Sequence, residues 1–143
     1  MNSKAVGLLK IFLWFICLFH IVVGIGLNVW PEMASHMAKL YGVKVPLTPQ
    51  LVYLLKPLGA FMFALGLFAM MAAKDPRKHI STVYIFATLF TIRGMHRLIF
   101  QDDIQRLFMI PSQKLMTGMA VFIAMAVLLL VLGMAVGNRG SAD

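Results

Sequence analysis

The sequence predicts an all-α, polytopic membrane protein: four transmembrane helices in an antiparallel bundle, with short interfacial helices on the outer side. Two observations lead there. The 143 residues are 61% hydrophobic and only 13% charged, with a mean hydropathy of +0.88. Soluble domains carry about 45–50% apolar and about 25% charged residues. The apolar residues are also gathered into four stretches, 6–30, 51–73, 80–100 and 115–136. Each is long enough to cross a hydrocarbon core of roughly 30 Å as a helix. The alternation and turn signals of strands are missing, and in lipid a helix satisfies its own backbone. A soluble enzyme and a disordered chain are both excluded. Residues 1–143 read as a single domain.

The first stretch follows Lys4 and Lys10, an arrangement like the start of a signal peptide. Its apolar run continues to Trp30, too long for such a segment, and no A-x-A cleavage site follows. It is expected to be a retained span. Cys17 is the only cysteine, so it has no internal disulfide partner and reads as a small packing residue. Trp30 stands at the belt position. Beyond it, Met33, Met37 and Leu40 recur at helical spacing, with Glu32, Ser35, His36 and Lys39 on other faces. That pattern predicts a short interfacial helix.

Thr48 and Pro49 have the residue types of an N-cap and first helical position for the second span. The second and third spans are joined by Lys74-Asp75-Pro76-Arg77-Lys78-His79. A loop that short makes them an antiparallel pair, and its three basic residues assign it to the cytoplasm. Both termini, with Lys4, Lys10 and Arg139, then fall on the same side. Ser81 and Ser112 are expected to cap the third and fourth spans. Residues 101–110 form a second amphipathic segment, with Ile104, Leu107 and Phe108 opposed to Asp102, Asp103 and Arg106. Residues 137–143 are expected to fray. Gly133 with Gly137, Ala120 with Ala124, and Ala60 with Ala64 beside Gly59 and Gly66 are small-residue pairs of the kind that let helices approach.

Thirteen Lys and Arg against five Asp and Glu give a formal charge of +8. In a soluble protein that would point to nucleic acid. In a membrane protein it sets topology and attracts anionic lipid, so the expected partners are the bilayer and a membrane protein or second copy, not nucleic acid.

Ionisable residues inside spans are costly and need an explanation. They are His20, Lys56, Arg93, His96 and Arg97. Counted at about 1.5 Å per residue, all five fall in the outer half of the bilayer. Arg93, His96 and Arg97 share one helix face, and His20, Gly24 and Asn28 form a stripe on the first span. Glu32, Asp102 and Asp103 rim the same side. Three readings stand. The acids and bases form an internal ion-pair network. Alternatively, the cluster is a pocket for an anionic or quinone-like group, since two arginines and a lysine suit a phosphate, carboxylate or sulfur oxyanion. Or His20 and His96 hold a b-type haem, although their estimated depths differ by roughly 7 Å. No H-E-x-x-H, cysteine pair or glycine-rich phosphate loop is present, so no metal site, catalytic residue or resident cofactor is assigned.

Phe19-His20-Ile21-Val22-Val23-Gly24 in the first span, Leu58-Gly59-Ala60-Phe61 and Leu65-Gly66-Leu67 in the second, and Arg93-Gly94-Met95-His96-Arg97-Leu98 followed by Asp102 in the third resemble the small bacterial four-helix membrane proteins of the DoxX-like and BphX-like type. The resemblance extends over nearly the whole chain and implies a bacterial inner-membrane location. BphX-like proteins occur with aromatic-degradation genes without an established activity. DoxX relatives include subunits associated with thiosulfate:quinone oxidoreduction. Cys17 lies in the inner half of its span, away from the cluster, so no thiol chemistry is carried over. The expected function is that of a non-enzymatic accessory or ligand-binding protein, with a quinone- or haem-linked redox subunit as the alternative.

Overall fold

The computed structural model describes residues 3–137. Arg139 and most of the segment expected to fray lie outside the described residues. Six helices follow in order: α1 (Ser3–Val29), α2 (Met33–Tyr41), α3 (Pro49–Lys74), α4 (Ile80–Ile99), α5 (Gln101–Phe108) and α6 (Ser112–Gly137). Among the described residues there is no strand. Helices α1, α3 and α6 are each long and apolar enough to cross a membrane. Helix α4 meets that test only together with α5, from which it bends by 73°. Ile11, Leu18, Phe61, Phe68, Ile85 and Val131 are exposed on the outer faces of the long helices. A continuous apolar surface of this kind is costly in water and suits lipid.

The helices pack as two pairs. Helix α1 lies chiefly on α3, and α4 chiefly on α6. The α3–α4 loop reverses the chain as its length demands, but α3 and α4 touch only lightly. That connection joins the two pairs; it does not make one.

Glycine explains the closeness of the first pair. A Cβ at Gly24 would lie 2.6 Å from the Phe63 backbone nitrogen and 2.8 Å from the Gly59 oxygen. One at Gly66 would meet Ile21 at 2.6 Å. The partners run in opposite order along the two chains, as antiparallel helices require. Of the small residues singled out in the second span, Gly59 and Gly66 are at the seam, while Ala60 and Ala64 are exposed. In the second pair Gly133 and Gly137 pack on Tyr84 and Ile80, whereas Ala120 and Ala124 are exposed. Spacing alone did not say which stripe of each helix faces a partner.

The core is unevenly distributed. At the end holding the α3–α4 loop, all four long helices contribute to one cluster that includes Leu9, Leu13, Cys17, Ala72, Phe86 and Leu129. Cys17 is indeed a buried packing residue. At the opposite end, capped by α2 and α5, Val23, Leu27, Ala34 and Met62 form a smaller cluster confined to α1, α2 and α3. No such cluster bridges the two pairs at that end, and the first cavity described below lies between them.

Local signals set the helix ends. Thr48 caps α3, its Oγ1 accepting from the Leu51 backbone N–H at 3.3 Å, with Pro49 next. Thr48→Ala is expected to cost about 1 kcal/mol of stability, as loss of such a cap does, readable as a lower unfolding midpoint in detergent. The two serine caps expected from sequence are not formed. His79 occupies the N-cap of α4, and Ser81 lies inside the helix and is exposed. Ser112 donates to Gln105 Oε1 at 3.0 Å, tying α6 back to α5. In both cases the preceding loop turns into the helix earlier than the serine. Gly42 ends α2 in the left-handed region, at φ 85°, with its N–H and that of Val43 returning to Lys39 and Ala38. This is the Schellman geometry. The Lys44 N–H then donates to the Phe108 carbonyl at 3.1 Å, joining the two halves of the cap.

Candidate functional site

Between α1, α4 and α6, beneath the end of α2, lies a cavity of about 660 Å³. Its floor is apolar: Ile16 and Phe19 from α1, Phe90 from α4, Phe122 and Met125 from α6. Its cap-side wall carries Arg93, Arg97 and Lys114. Lys114, Thr117, Gly118, Val121, Phe122 and Met125 recur at three- and four-residue steps, so one face of α6 provides that side.

Arg93 and Arg97 are half-buried one turn apart on α4. The Arg93 guanidinium lies 5.5 Å from the centre of the Phe122 ring. That of Arg97 lies 5.2 Å from the same ring and 5.0 Å from Tyr41. Such contacts place the cations but do not neutralise them. Gly118 leaves room for this arrangement, since a Cβ there would lie 2.7 Å from Arg97 Nη1.

Among the described residues the internal ion-pair network, one of the three readings the sequence left open, is not formed. Helices α1, α3, α4 and α6 contain no Asp or Glu at all. Among the described residues the one ion pair is Arg106 with Asp103, at 2.8 Å and well exposed. Asp102 and Asp103 lie on α5 beyond the 73° bend, Glu32 precedes α2, and all three are exposed. None of the three rim acids lines a cavity described here.

His20 forms part of the floor and is 1% exposed. Its Nδ1 lies 2.8 Å from the Ile16 carbonyl oxygen. A carbonyl only accepts, so Nδ1 carries the proton and donates. Nε2 is buried with no hydrogen-bond partner. Phe19, Phe86 and Phe90 surround the ring edge-on, at 5.7, 6.0 and 6.4 Å between centroids.

The remaining residues of the predicted cluster separate. His96 is exposed beside Phe100, with ring centres 4.5 Å apart. It lines a second cavity, of about 460 Å³, together with Arg93 and Arg97. His20 and His96 thus open on different cavities, so this arrangement does not offer them as a pair of ligands to one iron. Lys56 is exposed and lines none of these cavities; its backbone carbonyl accepts from Asn28 Nδ2 at 3.1 Å. Among the described residues no group of three or more His, Cys, Asp or Glu is placed to hold a metal ion.

The structure therefore brings together His20, Arg93 and Arg97. It adds Tyr41, Lys114 and Phe122, which sequence reasoning missed. Tyr41 and Arg93 line all three cavities, the third being about 230 Å³ and otherwise almost wholly apolar. Tyr41 ends an amphipathic helix, a position that could have marked it. Nothing in the sequence distinguishes Phe122 among 11 phenylalanines.

No protein-family model, curated protein or solved structure matches this chain.

Proposed function

We propose that this chain is a four-span integral membrane protein that binds an amphiphilic anion in the cavity between α1, α4 and α6. It acts as a ligand-binding or accessory protein, not as an enzyme. One observation carries the reading: two guanidinium groups on α4 line a largely apolar cavity whose long helices contain no carboxylate. An uncompensated cation inside a span is costly. A ligand with an anionic head supplies the missing charge, and its apolar body fills the floor.

Helix α4 serves as the fourth span. Its 20 residues reach roughly 30 Å, about the hydrocarbon thickness. Helices α2 and α5 lie along the interface, and the bend at Phe100 is where the chain leaves the hydrocarbon. The basic α3–α4 loop supports a cytoplasmic position for that end and both termini, and the resemblance above supports a bacterial inner membrane. The cavity then opens in the outer half. Membership of the DoxX-like and BphX-like group belongs to the same proposal.

The test uses purified protein in zwitterionic-lipid nanodiscs. A long-chain fatty acid and an alkyl phosphate of similar length are titrated in parallel with the uncharged methyl ester of the acid. At least one anion is expected to bind tenfold or more tightly than the ester. Equal binding of all three, or no binding, overturns the proposal.

A further inference from the structure

The floor of the cavity holds a polar group that neither the arginines nor the packing explains. The Ile16 carbonyl fixes the proton of His20 on Nδ1. With no carboxylate on α1, α3, α4 or α6, no counter-ion is present for a charged imidazole. In the neutral ring Nε2 is a lone pair and can only accept. Buried acceptors in folded proteins are almost always satisfied, and each exception asks for a reason. An apolar side chain there would bury no unpaired acceptor.

We infer that His20 Nε2 accepts a hydrogen bond from the ligand, which is therefore an amphiphilic anion bearing a hydroxyl on its apolar body. This rests on the binding reading above and adds a second recognition point. The two points lie at different depths. His20 is nine residues short of the end of α1, while Arg97 and Arg93 are two and six short of the end of α4. At about 1.5 Å per residue the hydroxyl lies roughly 5–10 Å deeper than the anion. It sits part-way along the body, not beside the head. Phe19 controls access: it is in edge contact with the imidazole and lines the cavity, yet it is only half-buried, whereas Phe86 and Phe90 are 1% exposed. The Phe19 ring swings to admit the hydroxyl.

The experiment compares mid-chain mono-hydroxylated fatty acids with the parent acid of equal length, on wild-type protein and on His20→Phe, in the same nanodiscs. Wild type is expected to prefer one hydroxylated isomer by about tenfold, the worth of one buried hydrogen bond. His20→Phe is expected to lose the preference between the isomers and the parent acid. The nitrogen-15 resonance of His20 Nε2 in wild type should shift with the preferred isomer and not with the parent acid, which supplies a readout even if the variant fails to fold. Equal binding of every isomer and the parent acid overturns the inference while leaving the arginine reading intact. So does a preference that survives in His20→Phe, or an unmoved Nε2 resonance. Failure of all the acids to bind overturns both.

Discussion

Gly24→Ala is expected to destabilise the protein, and Gly7→Ala to leave it as stable or slightly more so, when unfolding midpoints are compared in mild detergent. Both glycines lie in α1. A methyl group at Gly7 meets nothing within 4 Å, so alanine only gains helix propensity, about 0.5–1 kcal/mol. A methyl group at Gly24 lies 2.6 to 2.9 Å from the Phe63 nitrogen, the Gly59 oxygen and the Phe63 Cα. These are backbone atoms of a helix and cannot swing aside, so the α1–α3 seam must open. Overpacking of this kind costs about 1–3 kcal/mol, and Gly24→Leu should exceed that range. The loss is larger than for a surface helix, because α1 takes most of its packing from α3. Equal midpoints for Gly24→Ala and Gly7→Ala would show that the two helices do not meet at Gly24.

That contrast also shows what a sequence of this kind discloses. The helices were legible because hydropathy over 20 or more residues is a statement about solvent, and it needs no knowledge of neighbours. Thr48 was legible because a cap is a local device. The seam was only half legible: Gly59 and Gly66 face α1, but Ala60 and Ala64, equally small, face outward. Which of two adjacent stripes meets a partner depends on helix rotation, which spacing does not fix. The same limit governs the site. Depth along a helix placed His20, Arg93 and Arg97 in the outer half of the bilayer, and all three line one cavity. Lys56 lies in the same half but is exposed and lines none of the cavities, and His96, three residues from Arg93, opens on a different one. The change from span to amphipathic segment after α4 was legible, but its angle was not. The stretch 80–100 reads as one apolar run, the chain turns by 73° at its end, and among the described residues neither Asp102 nor Asp103 pairs with Arg93 or Arg97.

Arg93→Gln is expected to weaken binding of the anionic amphiphile by about ten- to a hundredfold, the range for one charge-assisted hydrogen bond of about 1.5–3 kcal/mol. The Arg93→Gln/Arg97→Gln double variant should bind the acid no better than its methyl ester. Stability is the second readout, and it separates a binding site from a structural ion pair. Breaking a buried pair by removing one partner costs about 3–5 kcal/mol, because the other charge is stranded. Here no carboxylate is stranded: Phe122 and Tyr41 are the groups left behind, and a cation–π contact at a partly exposed site is worth about 0.5–1 kcal/mol. Removal of an unpaired cation from a span offsets that loss. The unfolding midpoint of ligand-free Arg93→Gln should therefore equal or exceed that of wild type, while the rise in midpoint that the fatty acid confers on wild type should disappear. A large drop in midpoint without ligand would mean that Arg93 holds the fold through an acid and would remove the basis for a ligand at this site. Arg93→Lys should recover part of the affinity, since it restores the charge without the planar, two-point grip of a guanidinium.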